Sequence, residues 1–388
     1  MKKENRAIII GGSLAGLFTG VLLRSIGWDV DIYERSPHSL DSRGGGIVLQ
    51  ADVEVAFKRA GISRDGLGVD AKERYYLQQD GSIEQMPMRQ TLTSWNMLYG
   101  AMKRHLPDEH YHQGKTFERF VQDGEKVTVT FADDSQETGD LLIGADGITS
   151  SVRQQLLPTY DPQYAGYVGY RGLVDESDLD AETAEIFTER FVFYEFPNSH
   201  ILQYVIPGEN ESLVPGERRF NWVWYVNYDE RAELPILLTD KTGQRRDYSV
   251  PPGMMAPAAE QQMRDYANKM LVEPFRKLVA ATKEPFVQPI LDLGVPQMAF
   301  DRVALLGNAA FNPRPHTAAS ASKAAANAIA LAEVLVDRNN DVPTALKMWE
   351  SNQLSLGMYL WKRGQNLGER SQLRYGKQRV EENPVVAY

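Results

Sequence analysis

The stretch Ile8-Ile9-Ile10-Gly11-Gly12-Ser13-Leu14-Ala15-Gly16-Leu17 constrains this chain more than any other. An apolar run meets a glycine-rich turn and then reads as a helix. Asp29-Val30-Asp31-Ile32-Tyr33-Glu34 follows as a second apolar strand ending in an acid. Strand, tight turn, helix, strand and acid in this order are the layout of a dinucleotide-binding βαβ unit. Gly11 permits the turn, and Gly16 lets helix and strand pack closely. The first helical N–H groups, around Leu14 and Ala15, offer unpaired donors and positive dipole to a pyrophosphate. Glu34 lies 18 residues beyond Gly16, where an acid can accept ribose hydroxyls. Ser13 takes the place of the usual middle glycine, so the backbone approaches a pyrophosphate less freely.

The rest of the chain alternates in character. Residues 42–50 read as a glycine-rich loop entering a strand, and 51–61 as a helix ending at Gly61. Residues 73–88 read as a hairpin turning at Asp80-Gly81, and 95–106 as a helix stopped by Pro107. Residues 117–131 and 136–144 read as a hairpin around Asp133-Asp134. Residues 164–174, 190–195, 200–207 and 219–228 are aromatic and β-branched runs between turns, the pattern of an antiparallel sheet. Residues 175–185 suggest a short acidic helix, 240–256 a loop, 257–281 helix, and 303–307 a buried strand. Ala318 to Val336 reads as a long helix, 344–375 as further helices, and the tail as loose. The implied class is α/β. A Rossmann-like, discontinuous nucleotide domain carries an inserted antiparallel β-sheet domain and ends in C-terminal helices. The expected boundaries are 1–72, 95–160 and 290–345 for the first, 73–94 and 161–289 for the second, and 346–388 for the helical end.

Composition removes several functions. A net charge of −10 argues against nucleic acid, which needs clustered Lys and Arg. The absence of Cys removes disulfides, thiolate metal sites and Cys nucleophiles. The six histidines show no HExxH spacing, and no metal is expected even at His110 and His112. No run approaches the roughly 18 apolar residues of a membrane span. The N-terminus leads straight into a strand, so no signal peptide and a cytoplasmic location are expected.

Two further strand–helix corners stand out. One is Asp140-Leu141-Leu142-Ile143-Gly144-Ala145-Asp146-Gly147 with Ser151-Val152-Arg153. The other is Arg302-Val303-Ala304-Leu305-Leu306-Gly307-Asn308-Ala309-Ala310 followed by Pro313-Arg314-Pro315-His316. Each alone could be an ordinary corner. With these go Asp31 to Pro37, Thr93-Ser94-Trp95, Leu98-Tyr99-Gly100, Tyr164 to Val168 and Arg171-Gly172. In these phrases the chain resembles the group A FAD-dependent aromatic hydroxylases, the para-hydroxybenzoate hydroxylase superfamily, over nearly its whole length. Within that group it is most similar to the dihydroxypyridine hydroxylases.

The resemblance implies FAD as cofactor, with NADH or NADPH as a transient electron donor. Gly11, Ser13, Leu14, Ala15 and Gly16 would hold the pyrophosphate and Glu34 the adenosine ribose, with Arg35 beside it. Arg43 would reach the phosphate or ribityl region, and Asp146 the pyrophosphate. Asn308 would meet the ribityl chain, and Pro315 would border the flavin ring. Ser320, Ala321 and Ser322 would turn N–H groups to its pyrimidine edge, where a helix N-terminus stabilises negative charge. The implied cycle is reduction of FAD, reaction with O₂ to a flavin hydroperoxide, and oxygen transfer to a phenolic or hydroxylated N-heteroaromatic ring. Other flavin chemistry (dehydrogenase or oxidase), or ligand binding with weakened catalysis, stays open beside it. Asn308 replaces the family's Asp and so accepts more weakly. Ala318 and Ser320 stand where the family has glycines, Trp95 where many relatives have an FAD-binding Arg, and Asn327 where an acid is common.

His316 is the candidate general base if it titrates near neutrality; otherwise it packs structurally. On the inserted sheet, His200, Leu202 and Tyr204 share a face. Asn221, Val223 and Tyr225 share another, and Phe220, Trp222 and Trp224 its opposite. Parity does not choose between those two faces; the family's placement favours His200 and Asn221, and Tyr225 shares the latter's face. Tyr170 and Arg171 are expected to brace the domain junction. Leu354, Met358 and Trp361 form an apolar helix face for a dimer or for packing within the chain, leaving monomer or homodimer open.

Overall fold

The computed structural model describes residues 5–40 and 45–372. Arg43 and the chain after Gln372 lie outside the described residues. The apolar run at the N-terminus becomes the central strand Arg6–Ile10 of a six-stranded sheet. Asp29–Glu34 and Leu141–Gly144 flank it, with Tyr111–Gln113 and Val303–Leu305 outside them, all parallel. Only the short edge strand Ala299–Phe300 runs antiparallel. Ala7, Ile8, Ile9 and Leu141 to Ile143 are fully buried, as strands covered on both faces must be. Helices Leu14–Ser25 and Ser320–Asp337 pack on this sheet and on each other.

A nine-stranded sheet makes the second half. Its order is Phe311–Asn312, Phe286–Gly294, Gln163–Asp175, Arg219–Asn227, Ser199–Ile206, Arg190–Phe196, Val69–Leu77, Ile83–Ser94 and Gly46–Val48. All neighbours are antiparallel except Arg190–Phe196 with Val69–Leu77. Phe220, Trp222 and Trp224 point into a core with helices Pro257–Met270 and Glu273–Ala281. Their indole donors are satisfied there: Trp222 Nε1 reaches Thr282 Oγ1 at 2.9 Å and Trp224 Nε1 reaches Ser199 Oγ at 3.0 Å. Parity then turns Val223 and Tyr225 the other way, toward the parallel sheet's half.

Two local expectations are corrected. The hairpin around Asp133-Asp134 is real, but a further turn at Asp123-Gly124 makes three strands, Phe117–Gln122, Val127–Phe131 and Gln136–Gly139. Leu141–Gly144 leaves that hairpin for the parallel sheet. The C-terminal pattern is one helix, Val342–Gln372, not several. Its glycines do not break it; they let it touch its neighbours. A Cβ at Gly364 would lie 2.8 Å from Arg314 N, and one at Gly368 would lie 2.3 Å from Tyr167 Oη. Leu354, Met358 and Trp361 pack on the core of the same chain. Among the described residues no helix is long and apolar enough to cross a membrane.

Candidate active site

A cavity of about 2840 Å³ lies between the two sheets and draws its walls from both. Its parallel-sheet end is built mainly from backbone. Gly11 has φ +108, and a Cβ there would lie 2.4 Å from Ala145 O, so no other residue allows this turn to close on the neighbouring strand. Gly16 is as tight, with a Cβ position 2.0 Å from Gly11 O. Ser13 caps helix Leu14–Ser25 by position but not with its hydroxyl. The first N–H groups, at Leu14, Ala15 and Gly16, have no partner inside the helix. Glu34 is buried; its Oε2 accepts from Gly12 N at 2.9 Å and its Oε1 from Ser36 N at 2.8 Å. That acid clamps the turn to the second strand while lining the cavity. Arg35, exposed, reaches Thr149 Oγ1 at 3.4 Å on the same rim.

The two other corners close on this turn. Asp146 Oδ2 accepts from Ser151 N at 2.8 Å and so caps helix Ser151–Leu156. Its Oδ1 is buried with no partner among the described residues, and burial pushes the carboxyl above the usual carboxylate range. Asn308 sits in a 3-10 turn after Val303–Leu305, with Lys323 Nζ 3.5 Å from its Oδ1. Helix Ser320–Asp337 begins with no side-chain cap. Lys323 N, bonded to Ala319 O at 2.8 Å, closes its first turn, which leaves the N–H groups of Ser320, Ala321 and Ser322 at the cavity. The Ser322 hydroxyl is spent on Asp52. Ala318, where the family has glycine, holds a left-handed φ of 52. Pro315 lines the cavity in the preceding turn. Trp95 stacks on Tyr99 with ring centres 4.6 Å apart.

The antiparallel-sheet end is built from side chains. His200 and Tyr225 are cross-strand partners with rings 4.8 Å apart. His316 comes in from the other half, 4.4 Å from the Tyr225 ring and 5.2 Å from His200. Three of the residues expected at this end thus meet. Asn221 does not: it is buried, absent from the cavity wall, and its Oδ1 accepts from Gly46 N at 2.9 Å. The shared parity with Tyr225 holds, but the Gly46–Val48 strand crosses in front and takes the amide. Arg171, expected as a brace, lines the cavity, with Nε buried and no partner among the described residues. Tyr170 keeps its structural place, bonded to Tyr228 at 2.6 Å.

The electrostatics correct His316. Its imidazole does not titrate near neutrality: burial first, then His200 and Arg314, push it well below the usual value. Burial alone brings His200 to about 4. Both rings are neutral at pH 7. Tyr167, raised by burial, keeps its proton and lies 2.8 Å from His316 Nε2. Gln372 Nε2 lies 3.2 Å from His200 Nδ1. Arg314 holds Asp292 through two nitrogens, at 2.9 and 2.5 Å, and covers the Tyr167 ring at 5.6 Å. Sequence reasoning missed Tyr167, Gln372, Lys323 and the Arg314–Asp292 pair. Parity along Gln163–Asp175 could have flagged Tyr167 once the cavity face was known; nothing local marks Gln372. Away from the cavity, His110 and His112 both bond Asp31, whose other oxygen is held by Arg6 at 2.7 Å.

Known proteins match this arrangement. A family model described as FAD binding domain-like matches residues 164–292. The 2,6-dihydroxypyridine 3-monooxygenase of Paenarthrobacter nicotinovorans is 34% identical over 99% of this chain and 95% of its own. A 6-hydroxynicotinate 3-monooxygenase of Bordetella bronchiseptica is 26% identical over 91% and 88%. The solved 2,6-dihydroxypyridine-3-hydroxylase of Arthrobacter nicotinovorans superposes with a TM-score of 0.90 at 33% identity, covering 99% of this chain and 100% of that one. With the relative matched almost end to end, the chain belongs to the family of FAD-dependent aromatic-ring monooxygenases.

Proposed function

We propose that this chain uses FAD, NADH or NADPH and O₂ to hydroxylate a small phenolic or hydroxylated N-heteroaromatic ring. One observation carries the reading: main-chain donors for a dinucleotide and a cluster of neutral imidazole and phenol groups meet in one cavity. The residues present fit FAD. Two helix N-termini without side-chain caps offer N–H groups, and the buried Asp146 Oδ1 lacks a partner. In this reading Gly11, Ser13, Leu14, Ala15 and Gly16 hold the pyrophosphate beside Asp146, Glu34 takes the adenosine ribose with Arg35 near it, and Arg43, outside the described residues, is assigned to the phosphate or ribityl region. Asn308 takes the ribityl chain, Pro315 borders the ring, and Ser320, Ala321 and Ser322 face its pyrimidine edge. The domain limits set out above follow from the same assignment.

When bound, FAD supplies the redox chemistry, taking electrons from the nicotinamide and passing one oxygen atom of O₂ to the substrate. The chain's own residues prepare the substrate. With Tyr167 Oη donating to His316 Nε2, the ring proton of His316 stands on Nδ1. With Gln372 Nε2 donating to His200 Nδ1, that of His200 stands on Nε2. Two neutral N–H donors therefore remain to hold an oxygen of the substrate ring, and they favour its deprotonated, electron-rich form. Tyr225, Leu202 and Val223 keep water from it. The names of the relatives, a dihydroxypyridine and a hydroxynicotinate enzyme, support a hydroxylated pyridine. Dependence on a nicotinamide donor fits a cytoplasmic enzyme.

The test is to purify the protein, record its visible spectrum, and follow NADH and NADPH oxidation with hydroxypyridines and phenols under O₂. A yellow protein forming an oxygenated product is expected. Colourless protein that FAD cannot reconstitute sinks the reading. Donor oxidation with no oxygenated product leaves a flavin oxidase or dehydrogenase in its place.

A further inference from the structure

We propose that Lys323 is a cofactor-facing charge that favours the reduced, anionic state of the bound flavin over the oxidised one. The inference rests on FAD occupying the cavity as assigned above. Lys323 is 1% exposed and lines that cavity. It stands in the first turn of helix Ser320–Asp337, where the positive end of the dipole opposes a cation. Its hydrogen-bond acceptor is the neutral Asn308 Oδ1, at the long distance of 3.5 Å. Among the described residues it forms no ion pair, and Asp52 on the same wall accepts from Ser322. Burial pulls its pKa down to about 7. Dipole, burial and a neutral partner thus all oppose an ammonium here. A chain rarely keeps a buried lysine on those terms unless a ligand brings the missing charge.

A flavin dinucleotide brings negative charge at two places. The pyrophosphate carries it in both redox states, and its donors lie on the other helix, at Leu14, Ala15 and Gly16. The pyrimidine edge gains it only on reduction, when two electrons and one proton from the nicotinamide donor leave N1 without a proton. Lys323 shares its helix with Ser320, Ala321 and Ser322, the donors assigned to that edge. An ammonium there adds a full charge to the helix dipole and acts on the reduced state selectively.

The test compares Lys323→Met and Lys323→Arg with the wild-type holoenzyme. The readouts are the midpoint potential of the bound flavin and the dissociation constant of oxidised FAD. In Lys323→Met, oxidised FAD should bind within a few-fold of wild type. The reduced form should lose at least about tenfold of its relative affinity, which lowers a two-electron potential by about 30 mV. Lys323→Arg should keep most of the wild-type potential. An unchanged potential in Lys323→Met overturns the proposal. So does an equal loss of affinity in both redox states, which would make Lys323 a phosphate contact. A second readout needs no cofactor: apo Lys323→Met should melt above apo wild type, because an unpaired buried amine is gone, and a lower melting temperature counts against the argument. Failure of the wild type to take up FAD would overturn the flavin reading itself, a different outcome from a flavin whose potential ignores Lys323.

Discussion

The two ends of the cavity solve binding in different materials. The parallel-sheet end presents backbone N–H groups at the starts of two helices, and the side chains there mostly hold backbone in place. Glu34 clamps Gly12 N, and Asp146 caps Ser151 N. The antiparallel end presents side chains, His200, Tyr225, Tyr167 and His316, brought from three strands and a loop of the other half. A site made of backbone depends on which residues are small. A site made of side chains depends on which residues are near. The first kind is written in consecutive positions and suits a cofactor common to many enzymes; the second is assembled across the fold and suits one substrate.

The comparison breaks first at Gly11. Gly11→Ala places a Cβ against Ala145 O at a left-handed φ, so the turn must move. FAD affinity should fall by at least about a hundredfold, with a loss of several kcal/mol of stability. Absorbance of the purified protein and a melting curve check it; a yellow, stable variant would mean the turn does not hold the cofactor.

His200 provides the next largest effect. Its neutral form is held at about 4 in the folded protein against an ordinary 6.5, so the unfolded chain binds more protons between those values. Stability therefore rises with pH through that window and is lost as pH falls, by up to about 3 kcal/mol. Melting temperatures from pH 4 to 7 should show this slope, and His200→Asn should reduce it, leaving the part of the same sign that the buried His316 contributes. At the substrate end, His316→Ala should lower kcat/KM by about a hundredfold, about 2.7 kcal/mol of transition-state binding, while the flavin spectrum and FAD affinity stay as they were. Loss of FAD in that variant would erase the distinction between the two ends.

Legibility followed the same division. Gly11, Gly16, Glu34, Asp146 and Asn308 lie in short consecutive motifs; the structure brings Gly11, Glu34, Asp146 and Asn308 to one cavity end and packs Gly16 against Gly11 O behind it. The strands of the antiparallel sheet were readable from alternation, and so were the faces of Ser199–Ile206 and Arg219–Asn227. Which face met the cavity was not, because that depends on where Trp222 and Trp224 find helices to bury against. Asn221 shows the cost: its parity is right, and a strand from elsewhere takes its amide. His316 shows another. Its position was legible, but its neutrality comes from burial and from Arg314 and His200, which no spacing encodes.

Two smaller effects sharpen the contrast. Gly368→Ala pushes a methyl toward Tyr167 Oη and should loosen its bond to His316. A fall of about tenfold in kcat/KM with unchanged FAD affinity is expected, equivalent to about 1.4 kcal/mol; steady-state kinetics beside an FAD titration would show it. Ala318→Gly removes a side chain from a left-handed backbone and should stabilise the protein by about 1 kcal/mol or less, since the unfolded chain also gains freedom. Denaturant unfolding would detect it.

The end of the long helix carries a consequence for how the enzyme is made. Gln372 bonds His200 and also accepts from Asn227 through its main-chain oxygen, so the wall proposed for the substrate takes its last contact from the last described residue. The residues assigned to the cofactor are complete in sequence once Lys323 has left the ribosome. A growing chain therefore acquires the residues proposed to hold the dinucleotide well before it can finish the proposed substrate wall. Truncation just before Gln372 would leave a protein that still turns yellow but has lost its grip on His200, so colour alone is a poor measure of an intact C-terminus.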